Sequence, residues 1–558
     1  MCHIFSILRY SAKATMTDIN PNLLQSDELP TDEVADKTPG IRGSYNPLQF
    51  VLRLHDDIHR ILKNATPGIY TPGSMSGEQV QAYSTLLHET IHWWQHVGSN
   101  FGLISSLKFP AQTHLLYSEL KQFLKTAGPV KSIRQYNEKI NSTDPNTNYI
   151  LNNWYDIEIA TLVAFDPLLA NKYVNTPYFE SLGHAYHILW SSSIWTLAAI
   201  TDQQLNFLPN IKNWDAGFKQ LEDAKEPNFY YGSPVTIPHL GTRAIYEGQA
   251  RFSQLQYLYF AYGLTYDLKD FGKMGLLNGI YGEAFSHFLV LLGEHPPEDL
   301  AHPLIGLFLL ICDVAMNPTD GFPFDIRHYQ SFLISNDPGE RFYLLCMMVK
   351  TKHPELKTAI QHYSKEEYIQ TSKTLAATLS CPSPYDSCTH INQWIGQQAS
   401  LQKLLAEEAR FAYQKPNLPV RLFFAKFLRF QQDKYKYPDL FCWPGVRFAG
   451  FGDNAMPLDE VQRVFDRHKA IFIDDEDGDI HPTLFPGYDE SQIEDTFNDF
   501  FVWNTLYDMV RKWIIEPGPF TYNYRWITSK YPARELKTWV TSIFTASFDH
   551  SPDDFRIL

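Results

Sequence analysis

The sequence predicts a mainly α-helical protein with minor β content. Three observations predict it. Apolar residues recur at helical spacing in many separate stretches, whereas two-residue alternation is scarce. The chain has 558 residues, 44% of them hydrophobic, which is enough to bury a large core. Aromatic residues at 15% against 20% charged residues exclude disorder over most of the length.

Taken in order, residues 1–45 are polar and rich in Asp, Thr and Pro, and read as a flexible N-terminal arm. From Asn46 a helical pattern begins: NPLQFVLRLHDDIHRILKN places Phe50, Leu52, Leu54, Ile58, Ile61 and Leu62 on what suits one amphipathic helix. Residues 79–97 form the best-marked helix, with Ser76 and Gln79 as a capping box and Gly98 as its stop. Further helices are expected at 113–124, 150–164, 179–201, 243–262, 274–292, 304–314, 340–348, 397–414, 420–434 and 495–515. Strand-like alternation is confined to 446–451 and 520–527. Breaks at 317–325, 381–388, 437–445 and 474–479 divide the chain into regions 46–300, 301–435 and 436–558, without internal repeats.

Composition excludes several function classes. Basic residues number 47 and acidic ones 62, for a charge of −15, and no long Lys/Arg run occurs, so a nucleic-acid binder driven by phosphate contacts is not expected. The most apolar run, 304–315, is too short for a membrane helix and contains Asp313. The apolar stretch at 4–8 is too short for a signal peptide. Six cysteines do not make a disulfide scaffold, and Cys381, Cys388 and His390 match no common zinc spacing, so a cytoplasmic protein is the expectation.

The sharpest chemical signal is LLHETIHWWQHVGSN, with His88-Glu89-Thr90-Ile91-His92 at its centre. On an α-helix, residues four apart lie on one face, about 5–6 Å from each other, so two imidazoles can converge on one zinc ion. The glutamate after the first histidine lies close to that face and can reach a water at the metal as a general base. Val80, Tyr83, Leu87, Ile91 and Trp94 form an apolar stripe, while Gln81, Thr85, His88, His92 and Gln95 form an adjacent polar one.

HETIH on a long capped helix resembles the zincin metallopeptidases, and the resemblance covers this helix and one more. The third ligand must come from elsewhere. His96 is excluded because three histidines at four-residue steps span about 12 Å of a straight helix. The metzincin pattern breaks its helix with a glycine, and none precedes His96 here. The resemblance therefore points to the gluzincin branch, in which a glutamate from a later helix completes the site. Glu247 in YEGQA is the leading candidate, with small neighbours Gly248 and Ala250 that would let its helix pack closely against the first. Glu283 in YGEAFSHF and Glu158 in WYDIEIATL are the alternatives. The resemblance implies a zincin-like helical catalytic core with an additional helical region. It implies a zinc-dependent hydrolase cleaving peptide or protein substrates, with His88, His92 and Glu247 on the metal and Glu89 activating water. The competing readings are a catalytically idle zincin-like binding protein and a helical interaction protein in which HETIH is incidental.

A hydrolase of this kind also needs a donor for the developing oxyanion. His184, His187, Tyr186, His239 and Tyr246 are the candidates, and Trp93 is a candidate pocket wall. His55-Asp56-Asp57-Ile58-His59 mimics the motif with aspartate in place of glutamate and reads as a solvated helix face. The acidic loop 474–479 fails the EF-hand register because Ile473 stands where a ligand is required.

Overall fold

The computed structural model describes residues 18–24, 42–65, 75–140, 144–170, 172, 174–451, 456–485 and 487–558. Helix accounts for 65% and strand for 4%, so the fold is mainly α with minor β. Gly43–Asn46 (β1) and Val51–Leu54 (β2) form an antiparallel hairpin, with Gly43 opposite Leu54 and Asn46 opposite Val51. Val130–Lys131 (β3) runs parallel to Arg556–Ile557 (β6). β2 pairs in parallel with Phe472–Asp474 (β4), which turns back into Ile480–Pro482 (β5), giving the order β1-β2-β4-β5.

The hairpin overturns the single helix expected from Asn46. Phe50, Leu52 and Leu54 are two apart, all are buried, and the spacing serves a strand as well as a helix. Asn46 settles the matter locally: its side-chain oxygen accepts from Leu48 N at 2.9 Å and Gln49 N at 3.0 Å, closing a turn over Pro47. Only Asp56–Lys63 (α1) is helical. The two expected strands are also absent. Residues 446–448 belong to the short helix Pro444–Phe448, started by its proline, and 520–527 contain no strand.

Gly77–Gly98 (α2) begins at the expected capping box, where Gln79 N donates to Ser76 Oγ at 3.3 Å and Ser76 N to Gln79 Oε1 at 2.9 Å. Ser99 then caps Asn100–Ser106 (α3). Pro145–Phe165 (α4), Leu182–Thr201 (α5), Thr242–Ala261 (α6), Ile280–Leu292 (α7) and Pro303–Met316 (α8) follow. Leu418–Lys436 (α9) and Glu490–Ile515 (α10) are the long helices of the C-terminal half. α2 is buried around almost its whole circumference. The main reason is α6, which packs along the polar stripe and bonds groups on and beside it. Gln81 Nε2 donates to Tyr262 OH at 2.9 Å, Gln254 Nε2 to Ser84 Oγ at 3.1 Å, and Gln95 Nε2 to Gln249 Oε1 at 2.9 Å. Buried polar groups favour such partners, and these three bonds each join one helix to the other.

One hydrophobic cluster extends from Ile19 to Phe555 and runs through all three regions drawn from the sequence. Part of the expected N-terminal arm belongs to it. Ile19, Leu23 and Leu24 are buried, Thr85 Oγ1 donates to Leu23 O at 3.0 Å, and Arg251 Nη1 donates to Leu24 O at 3.1 Å. Residues 18–24 and 43–46 are thus packed rather than flexible, and residues 1–17 and 25–41 lie outside the described residues. Among the described residues no helix is long and apolar enough to cross a membrane.

Candidate metal centre

α2 and α6 bring three ligand atoms together. His92 Nε2 lies 3.1 Å from His88 Nε2, and Glu247 Oε2 lies 3.3 Å from each. Among the described residues this is the one group of three or more His, Cys, Asp or Glu side chains with convergent ligand atoms. The donor set fits zinc: a tetrahedral site with bonds of about 2.0–2.1 Å spaces its ligand atoms about 3.3 Å apart. Two imidazole nitrogens and one carboxylate oxygen are three protein donors, the number found in catalytic zinc sites, whose fourth ligand is water or substrate.

The alternatives for the third ligand are placed elsewhere. Glu283 is exposed on α7. Glu158 accepts from Arg511 Nε at 2.8 Å and is not among the convergent ligand atoms. His96 packs among Tyr45, Phe165 and Tyr246, and its imidazole is pushed down to about 3 by burial, then by His92 and Lys108. Gly248 has a different use from the one expected. A Cβ there would sit 3.2 Å from Ala284 and 3.3 Å from Phe308, so its smallness lets α7 and α8 approach α6, not α2.

The three groups are electrostatically coupled. Burial pushes His88 down to about 3, helped by His92 and Arg251 and opposed by the bond to Glu247. His92 moves the other way, to about 9: burial opposes its charge, but Glu247, Glu89 and Gln95 outweigh it. Glu247 is held well below the usual carboxylate range, because the two histidines overcome its burial. One proton on His92 therefore balances the Glu247 carboxylate. Glu89, 4% exposed, is pushed up to about 8 by burial and by Glu247, against the pull of His92 and Arg251. A dication among the three ligand atoms opposes that rise.

Three further residues complete the surroundings. A Cβ on Gly43 would lie 2.6 Å from Glu89 Oε1, so only glycine lets β1 run this close to the carboxylate. Tyr281, at the start of α7, sets its ring edge-on to His88 with centroids 6.0 Å apart. The Arg251 guanidinium lies 4.0 Å over that ring. Burial pushes the Tyr281 phenol up to about 12, so it keeps its proton at neutral pH. Sequence reading missed this pair, although Arg251 stands one turn after Glu247 on α6 and Tyr281 two residues before Glu283.

The oxyanion donors chosen from the sequence are otherwise engaged. His184 bonds Asp156, His187 stacks on Phe218 at 4.3 Å, and Tyr186 OH donates to Asp337 at 2.6 Å. His239 lies against Tyr343, and Tyr246 OH reaches the Gln95 carbonyl at 3.5 Å. Trp93 is 3% exposed and packs on Tyr45, a wall of the core. Cys388 Sγ donates to Gln431 Oε1 at 3.0 Å and His390 stacks on Phe324, so neither holds a metal with Cys381. No protein-family model matches the chain, and no curated protein or solved structure matches it.

Proposed function

We propose that this protein is a zinc-dependent hydrolase of the gluzincin type that cleaves peptide bonds. The observation that carries the reading is the meeting of His88, His92 and Glu247 within 3.3 Å of one another, with Glu89 buried beside them. His88, His92 and Glu247 would hold the ion. When bound, zinc supplies Lewis acidity toward a carbonyl and lowers the pKa of a water.

The chain's own residues supply the rest. Glu89 accepts the proton of the attacking water at its carboxylate and passes it to the leaving amine nitrogen. Tyr281 retains its phenolic proton and donates it as a hydrogen bond to the carbonyl oxygen while negative charge builds there. Arg251, stacked on the same ring, fixes where that phenol stands.

The deciding experiment is Glu89→Gln, with zinc content and cleavage of a broad peptide library measured on the same preparation. We expect zinc to stay at one per chain while turnover falls about 10²- to 10⁴-fold. Undiminished cleavage by the variant would refute the assignment of the base. A wild type that binds zinc but cleaves nothing would refute the enzyme.

A further inference from the structure

We propose that Gln95 is a positioning residue: it holds His92 in a single tautomer and locks the helix of the two histidines to the helix of Glu247. The inference rests on the reading of the triad as a metal centre and extends it to a residue outside the triad. Gln95 lies one turn after His92 on α2 and is 3% exposed. Its amide touches three groups. Nε2 is 3.0 Å from the backbone carbonyl of Tyr246 and 2.9 Å from Gln249 Oε1, and Oε1 is 2.8 Å from His92 Nδ1.

The backbone carbonyl decides the orientation. It can only accept, so the amide group facing it must be the NH2. The amide oxygen is then the atom turned to His92, and because that oxygen can only accept, Nδ1 must carry the proton. A neutral His92 therefore presents Nε2 as a bare lone pair, aimed at the point shared with His88 Nε2 and Glu247 Oε2. The same amide ties the two helices, because the carbonyl it grips belongs to the residue before Glu247. His88 has no such support: its Nδ1 is buried without a hydrogen-bond partner. His92 is thus the anchored imidazole of the pair, and the anchor is a side-chain amide that itself hangs on the third ligand's backbone.

Two variants of the full chain test this by competition for zinc against a chromophoric chelator. Gln95→Met fills the volume without either hydrogen bond. Gln95→Glu keeps an acceptor for His92 but turns its second oxygen toward the Tyr246 carbonyl. We expect Gln95→Met to weaken zinc binding about 10- to 100-fold, with Gln95→Glu falling between it and the wild type. A residue that merely fills space predicts the reverse order, since Glu buries a charge and Met does not. The visible absorption of cobalt-loaded protein should change in Gln95→Met, and thermal melting of both variants controls for folding. Zinc affinity of a folded Gln95→Met within about threefold of the wild type, or tighter than that of Gln95→Glu, would overturn the positioning role alone. A wild type that takes up no zinc would overturn the metal centre and this role together.

Discussion

Two pentapeptides in this chain set histidines four residues apart with an acid after the first, and the fold treats them in opposite ways. In His55-Asp56-Asp57-Ile58-His59 the first histidine is not in the helix at all. It is the N-cap of α1, where its Nδ1 accepts from Asp57 N at 3.2 Å. His59 is buried, but its Nε2 is spent on Asp474 Oδ1 at 2.8 Å, across to β4. In His88-Glu89-Thr90-Ile91-His92 both histidines stand deep inside a 22-residue helix, and a second helix lays Glu247 over them. Spacing is thus necessary and not sufficient. A helix start between the two histidines separates them, and a carboxylate from another element is what turns two imidazoles into a site.

The comparison can be broken most severely at that carboxylate. Glu247→Ala should weaken zinc binding more than about 100-fold by chelator competition, since it removes a direct ligand where loss of a supporting partner alone costs 10- to 100-fold. Its counterpart Asp474→Ala, which strips His59 of its partner, should leave zinc affinity unchanged. Next comes Tyr281→Phe, which removes only the phenolic proton. Steady-state kinetics should show kcat lower by about 10²-fold with zinc content intact, the usual cost of one oxyanion donor. An unchanged kcat would return that role to another group.

A smaller, graded effect follows from protonation. His92 is raised to about 9 in the metal-free protein, and zinc needs its Nε2 deprotonated. Below that value metal uptake releases one proton. Calorimetric titrations in buffers of different ionisation enthalpy should show it, with apparent affinity falling about tenfold per pH unit as pH drops from 9 toward 7. A pH-independent affinity would contradict the charge state assigned to the triad. The smallest effect is expected at Glu283, exposed on α7: Glu283→Gln should change neither zinc content nor turnover.

Much of this was legible in the amino-acid sequence, and what was not has physical reasons. The capping box that starts α2, the pair His88 and His92, and the presence of Glu247 beside them are features that local sequence carries, whereas Gly248 serves contacts with α7 and α8 that the sequence did not reveal. The β1–β2 hairpin was hidden because Phe50, Leu52 and Leu54 fit two periods at once, and the second partner of β2, Phe472 and Ile473, stands near the other end of the chain. The polar stripe of α2 is legible in the sequence, but its burial against α6 is not. Gln81, Ser84 and Gln95 can only be understood with Tyr262, Gln254 and Gln249 opposite. Tyr281 and Arg251 were missed because their role comes from packing between α6 and α7, which no motif encodes.

The central claim is a zinc centre built by the second pentapeptide and not by the first. It is tested most directly by elemental analysis of protein purified without a nickel column, in three forms side by side. We expect one zinc per chain in the wild type, none in His88→Ala/His92→Ala, and one in His55→Ala/His59→Ala. Absence of zinc from the wild type, or equal zinc in the wild type and His88→Ala/His92→Ala, would contradict the account.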